Sequence, residues 1–84
     1  MITVLYFAWV REQIGTDAET LALPDGVAAF GALMAHLSGL SARHAAALAA
    51  PGGLRGAVNQ IFARPETPVR DGDEVAIFPP VTGG

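Results

Sequence analysis

In "GVAAFGALMAHLSG" the apolar residues Val27, Phe30, Leu33, Met34 and Leu37 recur three and four apart, the spacing of a helix with one apolar stripe. It predicts a principal helix from Val27 to Leu37, ended at Gly39 and slightly weakened by Gly31. The other bulky apolar residues fall mostly in short runs of strand type. One stripe of this length covers one face of a sheet and leaves the other open, which predicts an α+β domain of one sheet on one principal helix. With 84 residues there is a single domain, burying only about 60–65% of its unfolded surface.

The strand signals frame that helix. "ITVLYFAW" opens the chain with β-branched and aromatic residues, and alternation sets Ile2, Val4 and Tyr6 on one face, Thr3, Leu5 and Phe7 on the other. "VREQIGTD" reads as a short helical turn closed by Gly15, and "AETLAL" as a second strand with Leu21 and Leu23 on one face. Ser41 is placed to cap a second, short helix through Ala50, terminated by "PGG" at 51–53. "LRGAVN" and "QIFA" form a strand pair around Asn59 and Gln60, without the glycine that marks the commonest hairpin turn. The proline-bearing stretch from Arg64 to Asp73 is a loop, and "DEVAIF" is the last strand. If the helix covers Ile2, Val4, Leu21 and Leu23, then Leu5, Phe7 and Phe78 lie on the open face, a candidate docking surface unless the second helix or a loop folds over them.

Composition narrows the function. The net charge is −3 and the five basic residues are all arginine, scattered along the chain, so no concentrated cationic surface is available for nucleic acid. No apolar run reaches the roughly 18–20 residues that span a bilayer, and Met1-Ile2-Thr3 lacks a basic signal start, so the expected location is cytoplasmic. There is no cysteine and no lysine. Any sulfur chemistry must therefore use something other than a side-chain thiol, and no side-chain amine is available for cross-linking. His36 and His44 lack further ligands at metal spacing and read as surface histidines, with no metal expected. Asp71, Asp73 and Glu74 surround an Asp-Gly turn and read as solvated turn charges. Gly52 and Gly53 form no phosphate cradle.

The chain closes on "FPPVTGG". Pro79 and Pro80 fix φ and hold the chain extended as it leaves the sheet, while Gly83 and Gly84 make the end as narrow as a polypeptide can be. This divides the chain into a folded body, 1–78, and a flexible tail, 79–84. Such a tail can thread a channel and present its carboxylate to another protein's active site. A carboxylate is a poor acyl donor, but adenylation by ATP gives it a good leaving group. Attack by a sulfur donor on that mixed anhydride yields a thiocarboxylate, a sulfur nucleophile on an arm.

"FAWVRE" at 7–12, "AVNQ" at 57–60 and "DGDEVAIFPPVTGG" at 71–84 are similar to the motifs of the MoaD family, small subunits of molybdopterin synthase with the ubiquitin-like β-grasp fold, and the resemblance runs the whole chain. It implies that Gly84 is adenylated by a MoeB-type enzyme using ATP and converted to a thiocarboxylate by a sulfur donor. It further implies that Pro79, Pro80, Val81, Thr82 and Gly83 insert into a MoaE-like large subunit, where sulfur passes to cyclic pyranopterin monophosphate. The implied assembly is a heterotetramer, a large-subunit dimer with one small subunit at each end. The apolar docking surface maps by analogy to Phe7, Phe62 and Phe78, with Phe62 resting on the resemblance alone. Arg11 and Glu12 fit the family pattern and take a structural role, the pterin-handling residues belong to the large subunit, and no cofactor is expected on this chain. A thiamine-pathway (ThiS-like) carrier, a ubiquitin-like protein modifier and a non-covalent adaptor remain as other readings.

Overall fold

The computed structural model describes residues 1–49 and 53–80. The elements run β1 (Ile2–Tyr6), α1 (Ala8–Ile14), β2 (Ala18–Leu21), α2 (Phe30–Ser38), α3 (Ala42–Leu48), β3 (Arg55–Val58), β4 (Ile61–Phe62) and β5 (Glu74–Phe78). The strands form one mixed sheet in the order β2-β1-β5-β3-β4. β1 and β5 run parallel at its centre, and the other pairs are antiparallel. This is the ubiquitin-like β-grasp arrangement.

The core lies between the helices and one face of the sheet. Ile2, Val4 and Tyr6 from β1 and Val75 and Ile77 from β5 meet Val10 and Ile14 of α1, Phe30, Leu33 and Leu37 of α2 and Ala47 of α3. Leu21 and Leu23 pack against the edge of this cluster, on the side that alternation assigned them. Gly56 is required by a close approach: a Cβ there would lie 2.1 Å from a carbon of the Phe30 ring, so the ring lies flush on β3 only because the side chain is missing.

Three boundaries depart from the sequence reading, each for a local reason. The first strand stops at Tyr6, because Ala8 takes a left-handed conformation at φ 55° that turns the chain into α1 and carries Trp9 into the helix. The principal helix begins at Phe30, not Val27. The backbone of 28–31 is held by the following loop: Val69 N–H donates to Ala28 C=O at 3.0 Å, Phe30 N–H to Thr67 C=O at 2.8 Å and Gly31 N–H to Pro65 C=O at 2.9 Å. These contacts satisfy two of the free N–H groups of the first helical turn. The second strand ends at Leu21 instead of Leu23.

Other expectations are met. Gly15 closes α1 with φ 96° and Ser41 caps α3 by accepting from His44 N–H at 3.2 Å. The hairpin turns at Asn59 and Gln60, both at positive φ. Asn59 tolerates this because its side chain donates to Asp73 Oδ1 at 2.9 Å and accepts from Glu74 N–H at 3.0 Å. Ala50 and the first two residues of "PGG", Pro51 and Gly52, lie outside the described residues.

Candidate functional site at the root of the tail

β5 is the strand from which the tail emerges, and it occupies the middle of the sheet. Alternation buries Val75 and Ile77 against the helices and turns Ala76 and Phe78 to the other face. Register sets Leu5 opposite Ala76, Ala76 opposite Ala57, and Ala57 opposite Phe62, so these four residues form one row across the helix-free face. The row is large-small-small-large. Over its two alanines the rings of Phe62 and Phe78 approach to 6.1 Å between centroids, tilted by 58°, within the range of favourable aromatic pairs. Ala57 is only 9% exposed although no helix covers that face.

Phe7 completes the apolar end. Its N–H donates to Ile77 C=O at 3.1 Å, which fixes the end of β1 beside the end of β5, and its side chain is 46% exposed. Phe62 is 77% exposed. The three phenylalanines therefore gather where β5 gives way to Pro79 and Pro80, both half-buried. Arg55, exposed and opposite Phe78 in the ladder, is the charged residue at this end. The helix α3 makes its contacts with α1 and α2. Val81, Thr82, Gly83 and Gly84 lie outside the described residues.

The ThiS family matches residues 4–84. The chain is 50% identical to the molybdopterin synthase sulfur carrier subunit of Escherichia coli K12 over 84 residues, all of both chains. The chain belongs to the ThiS family and, within it, to the molybdopterin synthase sulfur carrier subunits. The protein of the same description from Haemophilus influenzae is 45% identical, again over the full length of both. Among solved structures, Haloferax volcanii small archaeal modifier protein 1 superposes with a TM-score of 0.78 at 25% identity, covering 95% of this chain and 97% of that one.

This ThiS-family chain also holds a buried polar relay that corrects one expectation. His44 is not a surface histidine: it is 8% exposed, because it shares the inward face of α3 with Ala47. Its Nε2 lies 2.8 Å from Glu19 Oε2 and its Nδ1 lies 2.7 Å from Ser41 Oγ. Tyr6 O–H donates to the same Glu19 oxygen at 2.7 Å. Burial raises the Tyr6 pKa, and its bond to Glu19 and the Glu19 charge raise it further. Burial alone would raise the Glu19 pKa, but the hydrogen bonds from His44 and Tyr6 outweigh it and the net shift is downward. The sequence signal was the spacing of 41, 44 and 47: a cap and an inward stripe on one short helix. His36 is half-buried on α2.

Arg11 and Glu12 line an open groove with Gly15, Thr16 and Asp17. Arg43 reaches over Gly15, its Nη1 standing 2.7 Å from where a Cβ would be. Among the described residues no three histidine, cysteine or acidic side chains gather at metal-binding distance.

Proposed function

We propose that this chain is the sulfur-carrying subunit of a molybdopterin synthase, and that Gly84 carries the sulfur. The observation that carries this reading is full-length identity of 50% and 45% to two proteins of that description. The fold supplies a physical rationale: a central strand delivers the tail, through a stiff diproline, from beside an exposed aromatic surface. In this reading a carboxylate oxygen of Gly84 attacks the α-phosphate of ATP on a MoeB-type adenylyltransferase, and pyrophosphate leaves. A sulfur donor then attacks the acyl carbon, AMP departs, and a thiocarboxylate remains. The tail, 79–84, inserts into a MoaE-like large subunit, and sulfur passes to cyclic pyranopterin monophosphate in the cytoplasm. The docking surface is Phe7, Phe62 and Phe78, and this chain binds no cofactor itself.

The test is the mass of the tryptic peptide from Asp71 to Gly84 after incubation with the adenylating enzyme, ATP and a sulfide source. The peptide contains no methionine, so exchange of one oxygen for sulfur is not confused with methionine oxidation. A peptide that gains sulfur and reacts with a thiol-selective alkylator supports the proposal. An unchanged peptide alongside a demonstrably active enzyme overturns it.

A second reading, covalent attachment to lysines of other proteins, draws on the likeness to the archaeal modifier protein. Its sequence identity is 25%, half that of the carrier subunit. Conjugates of higher mass in cells would favour it. None of the comparisons carries a thiamine-pathway name beyond the ThiS family itself.

A further inference from the structure

The chain carries five cations and not one lysine. Arg11, Arg43, Arg55, Arg64 and Arg70 are all exposed, so each stands where a lysine ammonium would meet solvent. Burial and packing therefore give no reason for arginine over lysine at these sites. The two cations differ in chemistry. A guanidinium stays protonated at any pH a protein meets and offers no lone pair, whereas an ammonium with a pKa of about 10.4 releases a small fraction of free amine near neutrality.

Arg55 is the position where this difference has most effect. It pairs with Phe78 across the β3–β5 ladder, which puts their Cα atoms roughly 5 Å apart. Six residues separate Phe78 from Gly84, a reach of up to about 20 Å when extended. The terminal carbonyl can therefore return to any side chain at position 55. Among the described residues no carboxylate pairs with Arg55: the ion pairs are Met1 with Asp71 and His44 with Glu19. Its weak contact is with the neighbouring Leu54 carbonyl, 3.4 Å from Nη1.

We propose that Arg55 is a selectivity-determining residue, one that keeps a cation at the root of the tail while denying the activated terminus an amine to acylate. This rests on the reading of Gly84 as the adenylated group. With lysine at 55, the Nζ lone pair attacks the Gly84 carbonyl carbon and the acyl–phosphate oxygen bond breaks. AMP leaves, the ammonium proton passes to solvent, and the product is an isopeptide-closed ring that no longer accepts sulfur. Tethering holds amine and ester at an effective concentration in the millimolar range, so even a small free-amine fraction captures the adenylate while it waits for sulfur.

The experiment uses the full chain as wild type, Arg55→Lys, Arg55→Gln and Arg70→Lys, each incubated with the adenylating enzyme and magnesium ATP without a sulfur donor. Intact mass is followed against pyrophosphate release. Arg70 lies at the far end of β5, so its lysine variant controls for position. The expected result is a species one water lighter than the starting chain for Arg55→Lys, mapping to a 55–84 link and forming about tenfold faster than any in Arg70→Lys. Wild type and Arg55→Gln give none. If Arg55→Lys releases pyrophosphate like wild type yet forms no link, or forms it no faster than Arg70→Lys, the proposal is overturned. If wild type releases no pyrophosphate, the adenylation reading itself fails and takes this proposal with it.

Discussion

The hydroxyl of Tyr6 donates to Glu19 Oε2 at 2.7 Å, the same oxygen that faces His44 Nε2 at 2.8 Å. One carboxylate oxygen thereby joins β1, the edge strand β2 and α3. His44 Nε2–H donates to Glu19, and Ser41 O–H donates to the free Nδ1. Every member of the relay has a partner, and no buried side-chain polar atom among the described residues is left without one.

Breaking this relay on one side leaves its other members buried and unpaired, which costs about 1–3 kcal/mol. His44→Ala and Glu19→Leu are each expected to lower stability by that amount in urea unfolding. Tyr6→Phe, which removes one donor and leaves the His44 bond intact, is expected to cost about 0.5–1.5 kcal/mol. A double variant at 19 and 44 that loses less than the sum of the singles would show that the two residues act together.

The relay also sets an acid limit. Glu19 is held below its ordinary pKa in the folded state, so the unfolded chain binds its proton first as pH falls. Its stabilising contribution is complete above the unfolded value of about 4.3 and is lost as pH drops through the lowered folded value. Wild type is expected to lose stability more steeply than Glu19→Gln below about pH 4.5. Parallel stability–pH curves for the two proteins would contradict this.

Gly56→Ala places a methyl carbon against the Phe30 ring. Relief requires the ring to leave β3 or α2 to move out, an overpacking cost of about 1–3 kcal/mol. Thermal unfolding should show a lower midpoint. A second substitution, Phe30→Leu, is expected to return part of the loss, because the obstructing ring is then gone.

Phe62→Asp is expected to leave the body folded, because the side chain is 77% exposed, and to change stability by under about 1 kcal/mol. Binding to a large synthase subunit is expected to weaken by about 30-fold, the size of an anchor residue lost from an interface centre. Phe7→Asp should behave in the same direction. Titration calorimetry against the large subunit, with circular dichroism as the fold control, checks both. Wholesale unfolding would show that these side chains belong to the core.

Gln60→Gly is expected to stabilise. Gln60 holds φ 71° without the side-chain bonds that anchor Asn59, and an Asn-Gly pair is the preferred sequence for a two-residue turn of this hand. The gain is about 0.5–1 kcal/mol, read as a rise in the urea midpoint with the slope unchanged.

The amino-acid order by itself fixed the two central strands, the inward stripe of the principal helix and the placement of Leu5, Phe7 and Phe78 on the far face. These follow from periods of two and of three to four, which are local properties of the chain. The motifs around Phe7, Ala57 and Pro79 also disclosed the family before any contact was known. Tertiary structure alone decided what depends on residues distant in sequence. The convergence of Phe62 on Phe78 needs β3 between them, with an alanine beneath. The burial of His44 needs Glu19, 25 positions earlier, to satisfy it. The start of the helix at Phe30 needs a loop more than thirty residues later to hold the preceding backbone extended. Local periodicity states which side of an element is apolar, but only the assembled fold states which polar groups will find partners there.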